Sequence, residues 1–275
     1  MSVKITILVD NHAGDGLSAE HGLSLWIEKD SHRILFDTGQ GGALAPNAEK
    51  LGIDLSMTDS LVLSHGHYDH TGGVSRLIRI APGTQVYCHP AAVVSRYGVR
   101  AGEAKPLGMQ REALSALDHS PSQRIHWVLE GRDIAPAVGL TGKIPRETEY
   151  EDSGGAFFLD PELSRHDPII DDLALWINTP EGMIICVGCC HAGLVNTLTW
   201  AVQLCGASLI RAVIGGFHLM NADDSRLKST IASLQAFSPQ LIVPCHCTGN
   251  RAIEALQDVF GARVTAGFSG RIFEF

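Results

Sequence analysis

The stretch Ser64-His65-Gly66-His67-Tyr68-Asp69-His70-Thr71-Gly72-Gly73 sets three imidazoles and a carboxylate within the six residues 65–70. It lies between the apolar run Leu61-Val62-Leu63 and an amphipathic run that opens at Gly73 and continues to Ile80. Four polar side chains this close together make a poor core, because each needs a partner when buried. They make a good cation site, since imidazole and carboxylate together suit zinc, iron, manganese and related ions. In His65-Gly66-His67 the spacing of two lets both rings point the same way along an extended turn. Asp69 and His70 then face a second position, so one loop can contribute to two metals that share an activated hydroxide.

The same local event recurs further along. An apolar strand ends, a turn exposes a histidine and a helix begins, at His191 after Met183–Val187, at His218 after Leu209–Ile214 and at His246 after Leu241–Val243. In α/β architectures ligands bind where the carboxyl ends of strands turn into helices. Strands lying side by side would therefore gather these turns along one edge. The remaining pattern predicts strands at 3–9, 23–28, 33–36, 85–88, 124–130, 173–178, 263–265 and 271–275, helical pieces over 90–120, and a mostly irregular stretch at 131–172. An irregular stretch of that length inside a domain is usually functional, for instance a lid or substrate loop. Trp26, Trp127, Trp176 and Trp200 fall at strand or helix positions and read as core.

Composition bounds the class. The 275 residues are 45% hydrophobic and 19% charged, with 29 Gly, which is globular and rich in tight turns. A net charge of -9 argues against nonspecific nucleic-acid and anionic-membrane binding, and a small anionic molecule is the expected partner. No apolar run reaches the ~18–20 residues of a membrane span. The N-terminal stretch has no basic region, long apolar core or cleavage site, and reads as a first strand. Seven cysteines, several beside histidine, are expected as reduced thiols in a cytoplasmic protein.

These residues resemble the metallo-β-lactamase-fold superfamily. His-x-His-x-Asp-His after an apolar strand is its metal motif, and Asp37-Thr38-Gly39 is similar to its first motif. Glu20-His21-Gly22-Leu23-Ser24, Gly188-Cys189-Cys190-His191-Ala192-Gly193, Gly215-Gly216-Phe217-His218-Leu219 and Pro244-Cys245-His246-Cys247-Thr248-Gly249 resemble its dihydropteroate-synthase-like subgroup. The resemblance implies a single α/β domain over residues 1–275, a four-layer αββα sandwich of two mixed sheets flanked by helices, with a substrate-loop or lid insertion at about 90–172. It also implies His65, His67 and His191 at a first metal and Asp69, His70 and His246 at a second, with Asp37 bracing the loop. Two divalent ions are expected, zinc first, with Mn, Fe or Mg as alternatives. Many relatives carry a metal-bridging Asp where this chain has Cys189, which then serves as a thiolate ligand or leaves that position unfilled.

His218, Glu20 and His21 are candidates for substrate binding or proton transfer. The basic residues Arg96, Arg100, Lys105, Arg111, Arg146 and Arg165 of the 90–172 stretch are candidates for an anionic substrate, with Arg146 of Ile144-Pro145-Arg146 foremost. The function expected is that of a metal-dependent hydrolase or transferase acting on a small phosphoester or pterin-type metabolite. A non-catalytic metal sensor and a di-iron redox protein are the alternatives.

Overall fold

The short turn Asp30-Ser31 joins two apolar strands with a two-residue loop, and Lys29 pairs with His32 across it. Asp30 takes a left-handed φ of 53°, a conformation that Asp tolerates better than most residues. This hairpin begins a mixed sheet. The computed structural model describes residues 2–207 and 209–275, so Met1 of the N-terminal stretch lies outside the described residues. The strands are β1 (Val3–Val9), β2 (Ser24–Lys29), β3 (His32–Phe36), β4 (Ser60–Val62), β5 (Gln85–Cys88), β6 (Tyr97–Arg100), β7 (Glu103–Pro106), β8 (Ile125–Trp127), β9 (Arg132–Ala135), β10 (Val138–Leu140), β11 (Phe157–Phe158), β12 (Ala174–Thr179), β13 (Gly182–Val187), β14 (Ile210–Gly216), β15 (Leu241–Cys245) and β16 (Ile272–Glu274). The helices are α1 (Leu44–Lys50), α2 (Tyr68–Thr71), α3 (Val74–Ile80), α4 (Arg111–Asp118), α5 (Leu194–Cys205), α6 (Asp224–Phe237) and α7 (Asn250–Phe260).

The chain divides into two compact units. The first comprises the residues up to Val128 with Phe157–Asp167 and Phe268–Phe275; the second comprises Leu129–Ala156 and Pro168–Gly267. The stretch 90–172 contributes to both. In the first unit the strand order is β16-β1-β2-β3-β4-β5-β8. Pairing is antiparallel from β16 to β3 and parallel from β3 to β8. In the second unit the order is β15-β14-β13-β12-β10-β9, with β13, β14 and β15 parallel. Both units thus follow a hairpin with parallel strands, and the mixed α/β class expected from the sequence is observed. Central strands such as Leu61-Val62 and Ile184-Ile185 are buried on both faces and so read as continuous apolar runs.

The first unit packs Leu35, Leu61, Leu63, Val74, Leu77 and Leu117 into its core, and the second packs Ile185, Leu198, Val213, Phe217, Leu234 and Leu256. Three expectations are corrected. Residues 97–106 form a hairpin rather than helix, because β6 is held between β7 and the distant β11. The segment 263–265 is not a strand: a 3-10 turn covers Gly261–Arg263, and Val264 forms only a single bridge to Ile242. Trp127 is 47% exposed on the edge strand β8, so it is not core.

Arg96 is the largest fully buried side chain, and its Nε lies 2.9 Å from Asp167 Oδ2. Its Nη2 also donates to the Ala91 carbonyl at 3.0 Å. Removing one partner of such a pair strands a buried charge. Asp167→Ala is therefore expected to lower stability by about 3–5 kcal/mol. Urea unfolding measures it, and Arg96→Met combined with Asp167→Ala should recover part of the loss.

Candidate functional site

In the first unit β3 is followed directly by Asp37, whose φ of 59° is left-handed for a non-glycine residue. That conformation turns a fully buried carboxylate toward the loop after β4. Asp37 Oδ1 accepts from the Ser64 N–H at 2.7 Å, and Oδ2 accepts from the Ser64 hydroxyl at 2.6 Å. Oδ2 also lies 2.7 Å from His70 Nδ1. With the Ser64 proton committed to Asp37, Ser64 Oγ can only accept from His65 Nδ1, 2.9 Å away. His65 and His70 therefore carry their protons on Nδ1 and present Nε2 as a lone pair. This is the arrangement by which a protein orients an imidazole toward a metal.

The ligand atoms of the loop gather accordingly. His65 Nε2 approaches His67 Nδ1 at 3.0 Å, a distance that a shared proton or a shared cation sustains. The His65 and His70 ring centroids are 4.3 Å apart, and Asp69 Oδ2 lies 4.0 Å from His70 Nε2. His21, from the preceding polar loop, reaches Asp69 at 3.2 Å. Gly66 is required here because a methyl group at its Cα would run into the Ala92 carbonyl. The first unit thus brings together His65, His67, Asp69, His70, Asp37 and His21. Glu20 serves the backbone instead. Its carboxylate accepts from the N–H groups of Gln40, Gly41, Gly42 and Ala43, anchoring the turn into α1.

In the second unit the parallel strands β13, β14 and β15 end side by side, and their turns carry Cys189, His191, His218, His246 and Cys247. His191 Nδ1 lies 2.8 Å from the Ser153 carbonyl, to which it can only donate, so Nε2 again carries the lone pair. The His191 and His218 ring centroids are 4.4 Å apart. Cys189, His218 and Cys247 bring one ligand atom each to within 4.8 Å of one another. Burial by itself raises the Cys247 thiol, but a hydrogen bond with Cys189 and the His218 and His246 imidazoles outweigh it and hold the thiol well below its ordinary range. Burial likewise opposes charge on His218, yet the Cys247 sulfur raises its pKa above the ordinary imidazole value.

Of the basic candidates, Arg96 is spent on Asp167, Arg165 on Asp160 and Lys105 on Glu103. Arg146 donates from one nitrogen to the Pro168 and Ile169 carbonyls, and its residue stays exposed. Sequence reasoning misses Ser64, Ser153, Asp172 and Glu151. Glu151 accepts from the Val195 and Asn196 N–H groups and so caps α5 just beyond His191. A carboxylate suits that helix N-terminus. The adjacent pair Asp171-Asp172 is the one signal in the sequence that points to Asp172.

The donor chemistry fits a divalent metal: imidazole nitrogens with their opposite nitrogens anchored, an adjacent carboxylate, and thiols. Comparison with known proteins agrees. Residues 18–182 match the model of the metallo-beta-lactamase superfamily. Over its whole length the chain is 30% identical to a 7,8-dihydropterin-6-methyl-4-(β-D-ribofuranosyl)-aminobenzene-5'-phosphate synthase of Methanocaldococcus jannaschii, covering 97% of that protein. The crystal structure of Tm1679, a metal-dependent hydrolase of the β-lactamase superfamily, superposes with a TM-score of 0.86 at 28% identity, covering 99% of each chain. The metallo-β-lactamase-fold protein YhfI of Bacillus subtilis shares the fold at a TM-score of 0.62 and 12% identity, covering 100% of each chain.

Asp172 offers a pH test. Burial pushes its carboxyl up to about 7, against the lowering effects of the Ala192 N–H, which donates to it, and of the Arg146 charge. A folded pKa above the unfolded value means that the stability Asp172 contributes is fully present below about pH 4 and is lost as pH rises through about 7. Asp172→Asn keeps an acceptor for Ala192 and is expected to flatten that decline. Thermal unfolding of the metal-stripped protein across this range measures the slope; equal slopes in both proteins would refute the assignment.

Proposed function

Because the chain belongs to the metallo-β-lactamase superfamily, we propose that it is a metal-dependent enzyme whose centre is held by His65, His67 and His191 at one cation and Asp69, His70 and His246 at another. The observation that supports this best is the shared anchoring of three imidazoles. His65, His70 and His191 each have Nδ1 tied to an oxygen, which puts the ligating lone pair on Nε2. Zinc suits this His-rich set best, with manganese, iron or magnesium as substitutes. A divalent ion held by these residues would lower the pKa of water toward neutrality and would polarise an ester or phosphate oxygen.

The chain's own residues supply orientation and charge. Asp37 and Ser64 fix the rings, so little reorganisation is needed when substrate arrives. His21 holds Asp69 in place. Arg146 is the candidate that meets an anionic substrate, because its exposed guanidinium retains donors beyond those given to Pro168 and Ile169. We read the substrate as a small phosphoester or a pterin-type metabolite. The methanogen relative supports the pterin reading and the Tm1679 structure supports a hydrolase.

Replacing His67 with Ala is expected to remove metal from the first position and abolish turnover. Elemental analysis beside assays on phosphodiesters and on pterin pyrophosphate checks it. A metal-replete, active variant would sink the ligand assignment, and a fully loaded wild type inactive on both substrates would sink the substrate reading. Arg146→Ala is expected to raise KM for an anionic substrate about tenfold or more, with metal content unchanged. An unaltered KM removes Arg146 from the substrate site.

A further inference from the structure

We propose that Cys189, His218 and Cys247 form a thiophilic metal position of their own, a Cys2His donor set within the second unit that takes a soft or borderline cation such as Zn2+, Cd2+ or Cu+. It shares only Cys189 with the ligands considered above and does not rest on that assignment.

A buried cysteine is ordinarily a small hydrophobe. Two others in this unit behave that way. Cys190 sits in the apolar core with Leu194 and Phe217, and Cys186 lies buried in β13 with its thiol pushed up by burial to about 12. Cys189 and Cys247 are buried too, but they lie against each other, with the Cys247 sulfur 3.9 Å from the Cys189 carbonyl. Their sulfurs, with the His218 imidazole, converge from three separate turns at the carboxyl ends of β13, β14 and β15.

The backbone makes room for this convergence. His218 holds a left-handed φ of 48°, which costs a non-glycine residue free energy and persists only where the surroundings impose it. A methyl on Gly216 would stand 2.7 Å from Cys247 Sγ, and a methyl on Gly154 would run into the His218 ring. Two glycines thus clear space beside two of the three donors.

The dimensions suit a small ion. With bonds of about 2.3 Å to sulfur and about 2.0–2.1 Å to nitrogen, donors around a tetrahedral ion lie roughly 3.4–3.8 Å apart. Here they lie within 4.8 Å, so modest side-chain movement closes the set. Binding a divalent ion displaces the protons carried by the two sulfurs and the imidazole and forms two metal–sulfur bonds and one metal–nitrogen bond, with no change of oxidation state. Sulfur donors favour zinc, cadmium and copper(I) and disfavour magnesium and manganese. As a ligand, His218 would hold metal rather than pass a proton.

The test is titration of the metal-stripped full chain with Cd2+, followed by the ultraviolet thiolate-to-metal charge-transfer band. The wild type and a His65→Ala/His67→Ala variant are both expected to show the band, and the control Cys205→Ser to keep it. Cys247→Ser and Cys189→Ser should each lose at least half of it. Cadmium NMR of the wild type gives a readout independent of whether the variants fold, with a shift in the thiolate range expected. A wild type without a thiolate band, or one unchanged by both cysteine replacements, overturns the proposal and leaves the enzymatic reading standing. A band that vanishes in the His65→Ala/His67→Ala variant also overturns it, by assigning the sulfur to the other centre.

Discussion

The Asp37 carboxylate is the constraint that shapes the first unit's ligand loop. It is buried, it is presented by a residue in a left-handed conformation, and it accepts from the Ser64 amide, the Ser64 hydroxyl and His70. A buried carboxylate is costly unless its oxygens are satisfied, and satisfying this one fixes everything around it. The Ser64 proton points one way only, so His65 has one tautomer; His70 donates to the same oxygen, so it has the same one. The turn is thereby settled before any cation arrives.

The second unit solves the same problem by other means. A main-chain carbonyl, that of Ser153, orients His191. Glu151 caps α5 directly after the ligand turn, and Asp172 holds the Ala192 amide. Both units follow a hairpin with parallel strands, and in both the ligand-bearing turns sit at carboxyl ends of parallel strands. Parallel pairing sends successive strands out at the same edge, so residues far apart in sequence become neighbours within each unit. Among the described residues, the sulfur donors come from the second unit's turns, where Cys189 and Cys247 gather with His218.

Legibility in the sequence follows the range of the interactions. The motif His65–His70 is readable because its spacing is local. The strands β12, β13 and β14 are readable because their apolar runs end in turn residues. The hairpin at 97–106 is not, since its strand character depends on Phe157–Phe158, far along the chain. Arg96 resembles a substrate contact because charge is visible in a sequence, whereas its burial against Asp167 is not. Glu20 resembles a site residue for the same reason, and only the four amides of residues 40–43 reveal that it anchors a turn.

The family, the mixed α/β class and the identity of the histidine ligand candidates can all be read from the order of residues, because short motifs and the alternation of apolar runs with turns carry them. Folding settles the rest: which imidazole nitrogen carries the lone pair, which charges are spent on structure and which cysteines face a shared cluster rather than the core. Those properties are set by contacts between segments distant in the chain, and a tautomer or an ion pair exists only once its partner has been brought within hydrogen-bond reach. The His65–His70 stretch therefore names its chemistry in advance, while Asp37 and Ser64 aim it.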